Sequence, residues 1–213
     1  MESNGQLRTY VYVDGFNLYY GCLKDSPYKW LDLKQLFTHL LKPNHQILRI
    51  KYFTAMVSSL PNDPQKAARQ EVYLRALRTY IPEIEVYLGH FLSNPVLAPL
   101  TNPRGRERYA KVVRTVEKGS DVNLAVHLLN DAWLDEYDCA VVVSNDSDLA
   151  ESMRLVKSRS KMLGLITPGK RRTSRQLRSY AMFIKSIRSG RVLGASQLPD
   201  LIPGTRLHKP AVW

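Results

Sequence analysis

Three short segments place acids where acids can do chemistry. Asp14 closes the run TYVYV at residues 9–13, and Asp121 opens the apolar-periodic run SDVNLAVHLLNDAWL at residues 120–134. Asn145, Asp146, Ser147 and Asp148 follow DCAVVVS at residues 138–144, the most continuous apolar run of the chain. Carboxylates brought together repel one another unless a cation offsets the repulsion or their pKa values rise. Oxygen donors unaccompanied by His or Cys point to Mg²⁺ or Mn²⁺ and away from zinc. Such an ion lowers the pKa of bound water, orients it and stabilises the leaving oxygen of a phosphodiester.

Each acid also has a plainer reading. Asp148 with Glu151 three residues on makes a capping box, and Ser120 or Asp121 can act as an N-cap. Asp14, at the end of a buried apolar run, needs a partner. Asn17 either binds that carboxylate or terminates the turn at Gly15. Other catalytic patterns fail. GLITPGKR at residues 164–171 is one residue short of a phosphate-binding loop and lacks its Ser or Thr. There is no Gly-x-Ser-x-Gly elbow and no His-x-x-x-His pair. His127 lies six residues after Asp121, on another helix face, and reads as a packed or surface histidine. Cys22 and Cys139 have no Cys-x-x-Cys partner, so neither a disulfide framework nor a zinc site is supported.

The elements that must hold these acids follow from periodicity. Strands are predicted at residues 9–13, 47–57, 84–92, 138–144 and 161–167, with a last short one at 183–187. Helices are predicted at 31–41, 64–81, 120–133 and 149–156, and a short one after the basic turn PGKRRTSR. Residues 93–109, with three prolines and the patch PRGRERY, read as an exposed loop, and residues 111–117 as a hairpin strand returning beside the third. Strands alternating with helices predict an α/β fold of Rossmann-like type. Its mostly parallel sheet has helices on both faces, a β-hairpin excursion and a C-terminal arm. In such sheets ligands bind at the carboxyl ends of the strands, where strand order reverses. Residues 1–190 then form the domain and 191–213 an arm or tail. The arm's Leu193, Leu198, Leu201 and Trp213 cover either this domain or a neighbouring copy, which makes a homo-oligomer possible.

Composition bounds the rest. A chain of 213 residues, 44% hydrophobic and 23% charged, has room for one globular domain with an appendage. No run approaches the roughly 18 apolar residues of a membrane span. The N-terminus lacks a signal-peptide pattern, so a cytoplasmic location is expected. With 31 Lys and Arg against 19 Asp and Glu, the net charge of +12 favours a polyanionic partner, of which nucleic acid is the commonest. Candidate phosphate contacts are Arg104, Arg106 and Arg108 in the loop, and Lys170, Arg171, Arg172 and Arg175 after the fifth strand. Tyr19 and Tyr20 can stack on bases, or pack into the core.

Three linked segments resemble the NYN domain, a PIN-like nuclease fold, in its bacterial LabA-like branch. They are VDGFNLYYG at residues 13–21, EKGSDVNLAVHLL at 117–129 and VVVSNDSDLAESMRLV at 141–156. The resemblance spans roughly residues 8–190, and it implies a divalent-metal-dependent ribonuclease, an endonuclease acting on single-stranded or structured RNA. Carried over, its acids are Asp14 with Asn17, then Asp121, then Asp146 with Asp148 as an outer member. Asp14, Asp121 and Asp146 would hold Mg²⁺ or Mn²⁺, Asp148 or Asn17 would orient the attacking water, and Ser144 would bind water or phosphate. Two departures stand out: His127, where many relatives carry Asp, and Asn145, where glycine is frequent. An RNA-binding or regulatory module with weak or absent catalysis is the first alternative, and a phosphatase or phosphotransferase the second. A metal-independent binder would keep its affinity when Asp14 or Asp146 becomes Asn. A phosphatase would have no use for the basic clusters.

Overall fold

The computed structural model describes residues 5–59, 61–104, 107–188 and 190–213, with the main chain alone at Arg104. Seven strands make one sheet in the order β4-β3-β2-β1-β5-β6-β7. These are β1 (Leu7–Asp14), β2 (His45–Ala55), β3 (Ile84–Arg104), β4 (Glu107–Lys118), β5 (Cys139–Val143), β6 (Met162–Pro168) and β7 (Phe183–Ile187). All neighbours pair in parallel except β3 with β4. Seven helices accompany them: α1 (Gly15–Leu18), α2 (Leu33–Leu40), α3 (Lys66–Tyr80), α4 (Ser120–Trp133), α5 (Ala150–Ser158), α6 (Arg175–Tyr180) and α7 (Gly190–Gly194).

Alternation along β1 explains the layering. Val11 and Val13 face one side with Val141, Val143 and the apolar residues of α2 and α3. Tyr10 and Tyr12 face the other, with Val142, Leu124 and Leu128 of α4, and Met153 of α5. Both faces are therefore buried, as a parallel sheet requires. Cys139 packs in the core as a small hydrophobe, fully buried. One polar group crosses into this core. Asp131 of α4 accepts from Lys51 Nζ and from the Tyr12 hydroxyl, both at 2.6 Å on Oδ2. Asp131 and Lys51 are 5% and 6% exposed, so each charge depends on the other.

The expected loop at residues 93–109 is instead the distal half of a long two-stranded ribbon. β3 runs for 21 residues and pairs with β4 through Pro95 opposite Val113 and Pro99 opposite Tyr109. Only the stretch from Ile84 to Gly89 has β2 on its other side. Beyond Gly89, β3 has a single neighbour, and prolines are tolerated on such an edge.

The segment from α7 onward packs on the rest of the chain. Leu193, Leu198 and Ile202 join the core of the α2 and α3 face. Trp30 Nε1 donates to the Pro199 carbonyl at 2.9 Å, and the Trp213 ring meets Trp30 and Tyr73 edge-on.

Candidate active site

The strand order reverses at β1, which lies between β2 on one side and β5 on the other. The chain leaves the carboxyl ends of β1 and β5 in opposite directions there, opening the crevice where such sheets bind ligands. Asp14 ends β1 at that point and is 3% exposed. Its carboxylate caps α1: Oδ1 accepts from the Asn17 amide N–H at 2.9 Å. Oδ2 accepts from Asn17 Nδ2 at 2.7 Å and from the Ser144 hydroxyl at 2.8 Å. Burial raises its pKa above the ordinary carboxyl range, and the donors from Asn17 and Ser144 only partly counter this. Gly15 allows the chain to turn here, because a Cβ would sit 2.7 Å from the Phe53 carbonyl and 2.8 Å from the Tyr52 ring.

Ser144 links the second acidic segment to the first, since its oxygen also accepts from the Asp146 N–H at 3.0 Å. Asp146 in turn caps the 3₁₀ turn Ser147–Leu149, accepting from the Asp148 N–H at 3.0 Å. Asp148 itself is exposed and caps nothing. Glu151, its expected capping-box partner, instead pairs with Arg154 at 2.6 Å.

Asp121 enters from α4. The helix starts at Gly119 in the left-handed region, φ 99°, where glycine carries no Cβ penalty. The start is capped from outside by Glu117, whose carboxylate accepts from the Ser120 N–H at 3.0 Å and its hydroxyl at 2.8 Å. Asp121 is thus relieved of capping, and among the described residues nothing donates a hydrogen bond to it. Its pKa is pushed up to about 6, first by burial and then by Asp14, Asp146, Glu117 and Asp148. The acids from the other two segments thus lie close enough to Asp121 to raise its proton affinity.

All donors here are oxygens, which suits a hard cation. Among the described residues no three His, Cys, Asp or Glu side chains converge into a ready ligand cage. With Asp14 committed to Asn17 and Ser144, a cation here would have to meet these oxygens in part through water.

The basic cluster after β6 borders the acids. Asn145 donates through Nδ2 to the Arg172 carbonyl at 3.1 Å and accepts at Oδ1 from the Ser174 N–H at 2.8 Å. Its own N–H donates to Asn17 Oδ1 at 3.2 Å. One amide therefore fastens the loop bearing exposed Lys170, Arg171, Arg172 and Arg175 to the acidic loop.

Several expected site residues take other places. Ser144 is fully buried and spent on Asp14 and Asp146, so it positions acids and does not face phosphate. Asn17 is likewise committed at both ends of its amide and serves as a positioning residue. Arg104 and Arg108 lie at the far end of the ribbon, roughly 15 residues and on the order of 50 Å of strand beyond Gly89, away from the acids. Arg106 falls outside the described residues. His127 lies at a tilt against Tyr87, with ring centroids 4.0 Å apart, and is a packed histidine. Tyr19 packs at the core margin while Tyr20 is 62% exposed.

Sequence reasoning missed two contributors. Glu117 sits three residues before the serine it caps, a spacing that hints at its role. Gly89 on the facing strand leaves room for the turn, since a Cβ there would lie 2.6 Å from the Lys118 carbonyl. Asn145, taken for a tolerated turn residue, is the clamp.

A parallel sheet with acids at its switch point, a flanking basic loop and a hairpin excursion defines a nuclease-like α/β fold. The NYN domain family model matches residues 8–187, and the chain belongs to that family, whose members bind RNA. The chain is 33% identical over 235 aligned positions to 6-hydroxy-3-succinoylpyridine 3-monooxygenase HspA of Pseudomonas putida, covering 97% of this chain and 75% of that protein. It is also similar to a crystal structure of a Vibrio parahaemolyticus protein of unknown function, with TM-score 0.56 and 19% identity. That match covers 89% of this chain and 98% of the other and concerns the fold. No described helix is long and apolar enough to cross a membrane.

Proposed function

We propose that this protein is a divalent-metal-dependent ribonuclease that hydrolyses RNA phosphodiester bonds at the carboxyl edge of its sheet. The observation that supports the reading is that Asp14, Asp121 and Asp146 come from three segments to the carboxyl edge at the strand-order reversal, where Asp14 and Asp146 raise the Asp121 pKa, in a protein of net charge +12. Asp14, Asp121 and Asp146 hold Mg²⁺ or Mn²⁺, partly through water. When bound, the ion supplies Lewis acidity that acidifies water for attack on phosphorus and neutralises charge on the leaving oxygen. Asn17 and Ser144 hold the Asp14 carboxylate in place, and Asp148, exposed beside the cluster, orients water. Lys170, Arg171, Arg172 and Arg175 hold flanking phosphates. The test is cleavage of end-labelled single-stranded RNA with Mn²⁺, Mg²⁺ or EDTA. Metal-dependent internal cuts are expected, and binding without cutting would make this a binding module.

Salt dependence checks the basic loop. Changing Lys170, Arg171, Arg172 and Arg175 to Gln is expected to flatten the log affinity against log salt slope for single-stranded RNA by up to about 3. Filter binding in EDTA across a salt series measures it, and an unchanged slope removes the loop from the interface.

Stability gives a readout independent of cleavage. The metal-free Asp121 carboxyl titrates higher in the folded chain, near 6, than in the unfolded one. Folding therefore carries no cost from it below the ordinary carboxyl range, and stability falls as pH rises through that value, the full cost standing above about 6. Asp121→Asn is expected to stabilise the metal-free protein by about 1 kcal/mol near neutral pH, after allowance for solvent screening. Near pH 4 it changes little. Adding Mn²⁺ raises the wild-type Tm more at neutral than at acid pH, and raises that of the variant less. Thermal melts in EDTA and in Mn²⁺ at the two pH values decide both points.

The Pseudomonas putida relative favours a second reading, hydroxylation of a substituted pyridine. A monooxygenase needs dioxygen and an electron donor. Incubation with 6-hydroxy-3-succinoylpyridine, dioxygen and a reduced nicotinamide, with hydroxylated product followed by mass spectrometry, separates the two.

A further inference from the structure

A cavity of about 290 Å³ opens beside the acidic site, on the α3 side of the sheet. Gly15 and Tyr52 form its inner end, so it begins one residue from Asp14. Its size sits at the low end of the roughly 300–1,000 Å³ usual for small-molecule pockets. Neither the acids nor the basic loop after β6 lines it.

Two hydroxyls on largely buried residues open onto this cavity, where solvent reaches them. Tyr52 is 7% exposed and Thr54 is 3% exposed. Among the described residues neither side-chain hydroxyl makes a hydrogen bond, although nearby Tyr73 spends its own on the Leu31 carbonyl at 2.9 Å. Burial, and then the Asp14 charge, raise the Tyr52 pKa, which keeps that hydroxyl a proton donor. Both hydroxyls are therefore available to a ligand that enters the cavity in place of water.

The remaining lining says what kind of ligand. Tyr19 and Trp213 present aromatic rings, the latter braced edge-on by Trp30 and Tyr73. Lys29, Lys66 and Arg69 line the cavity against a single acidic side chain, Asp63, that Arg69 holds at 2.5 Å. Lys29 Nζ donates to the Trp213 main-chain oxygen at 3.2 Å, which leaves Lys66 as the cation without a close partner among the described residues. Aromatic walls favour a flat ring, the hydroxyls favour heteroatoms on its edge, and the surplus cation favours an anion.

We propose that this cavity is a binding subsite for a planar aromatic ring that carries an anionic group. The ring lies against Tyr19 and Trp213, its polar edge meets Tyr52 and Thr54, and its anion meets Lys66 and Arg69. A nucleotide of an RNA chain has this chemistry, and so does a free aromatic carboxylate. The subsite serves either reading of the reaction and rests on the cavity alone, so failure of cleavage does not remove it.

Calorimetric titration of the full chain in EDTA tests it, with uridine and adenosine monophosphates, the two nucleosides, inorganic phosphate, benzoate and nicotinate as probes. At least one ring-bearing anion is expected to bind about tenfold or more tighter than its uncharged ring and than phosphate. Tyr52→Phe, which removes one oxygen and leaves the ring, is expected to weaken that binding about 3- to 10-fold. Lys66→Ala does the same, more strongly at low salt. Nucleotides binding ahead of benzoate and nicotinate assign the subsite to an RNA residue, and the reverse order assigns it to a free aromatic acid. Both orders uphold the shared chemistry. Ring-bearing anions that bind no better than phosphate overturn the proposal, as does wild-type affinity in both variants.

Discussion

Asp14→Asn is expected to lower metal-dependent RNA cleavage by on the order of 10²–10³-fold while RNA binding persists. The reason lies in what surrounds the carboxylate. Oδ2 accepts from both Asn17 Nδ2 and the Ser144 hydroxyl, and Oδ1 accepts from the Asn17 N–H. An asparagine amide loses the charge that attracts a cation and turns an NH₂ toward at least one group that is itself a donor. Asn17 cannot rotate to accommodate it without giving up Asn145, which its Oδ1 accepts from at 3.2 Å. The substitution thus removes charge and loosens the acidic loop together. Asp121→Asn separates the two effects, because Asp121 has no hydrogen bond among the described residues to lose. Both variants should cut poorly, only Asp14→Asn should lose loop order, and Asp121→Asn should melt higher than wild type in EDTA. Rates from single-turnover cleavage, beside filter binding and melting curves, give the three readouts. Wild-type cleavage in either variant removes that acid from the chemistry.

Asp131→Ala should destabilise the fold by about 3–5 kcal/mol without touching the chemistry. The substitution strands the Lys51 ammonium and the Tyr12 hydroxyl, which both donate to Asp131 Oδ2 at 2.6 Å inside the α4 layer. Lys51 keeps only Glu85, at 3.9 Å, as a nearby counter-charge. A paired apolar replacement, Lys51→Met with Asp131→Leu, removes both charges and is expected to recover most of the loss, leaving the Tyr12 hydroxyl as the residual cost. Urea unfolding of the wild type, Lys51→Met, Asp131→Leu and the pair closes the double-mutant cycle, with Asp131→Ala measured beside it. A loss under about 1 kcal/mol in Asp131→Ala would mean that water replaces the carboxylate.

How much of this was readable beforehand depends on how local the cause is. The positions of Asp14 and Asp146 followed from one rule, acids directly after buried apolar strands, because both the strand and its end are written in consecutive residues. The helix of Asp121 was equally clear from its periodicity. Its cap was not, since the capping carboxylate of Glu117 belongs to the preceding strand. Asp146 and Asp148 both match cap positions, and only the 3₁₀ turn between them decides that Asp146 does the capping. The ribbon was misread because Pro95, Pro99 and Pro103 signal a loop when strand pairing is assumed on both sides. Once β3 passes Gly89 that assumption fails, and Arg104 and Arg108, expected as phosphate contacts in a loop, are carried outward with the ribbon. The cavity next to Asp14 left no trace in local pattern beyond Tyr19 and Tyr20, as its lining comes from α1 and the turn after it, β2, α3 and Trp213.

The root of the ribbon is also the doorstep of the site. β4 ends at Lys118, Gly119 makes the bend, and Asp121 is the second residue of α4. Glu117 on the ribbon grips Ser120 on the helix through two hydrogen bonds. Strand and helix are thereby clasped across a single glycine, in the manner of a crank joined to its shaft. Leverage applied to the exposed outer half of the ribbon is delivered to Asp121, a site acid that among the described residues no hydrogen bond restrains.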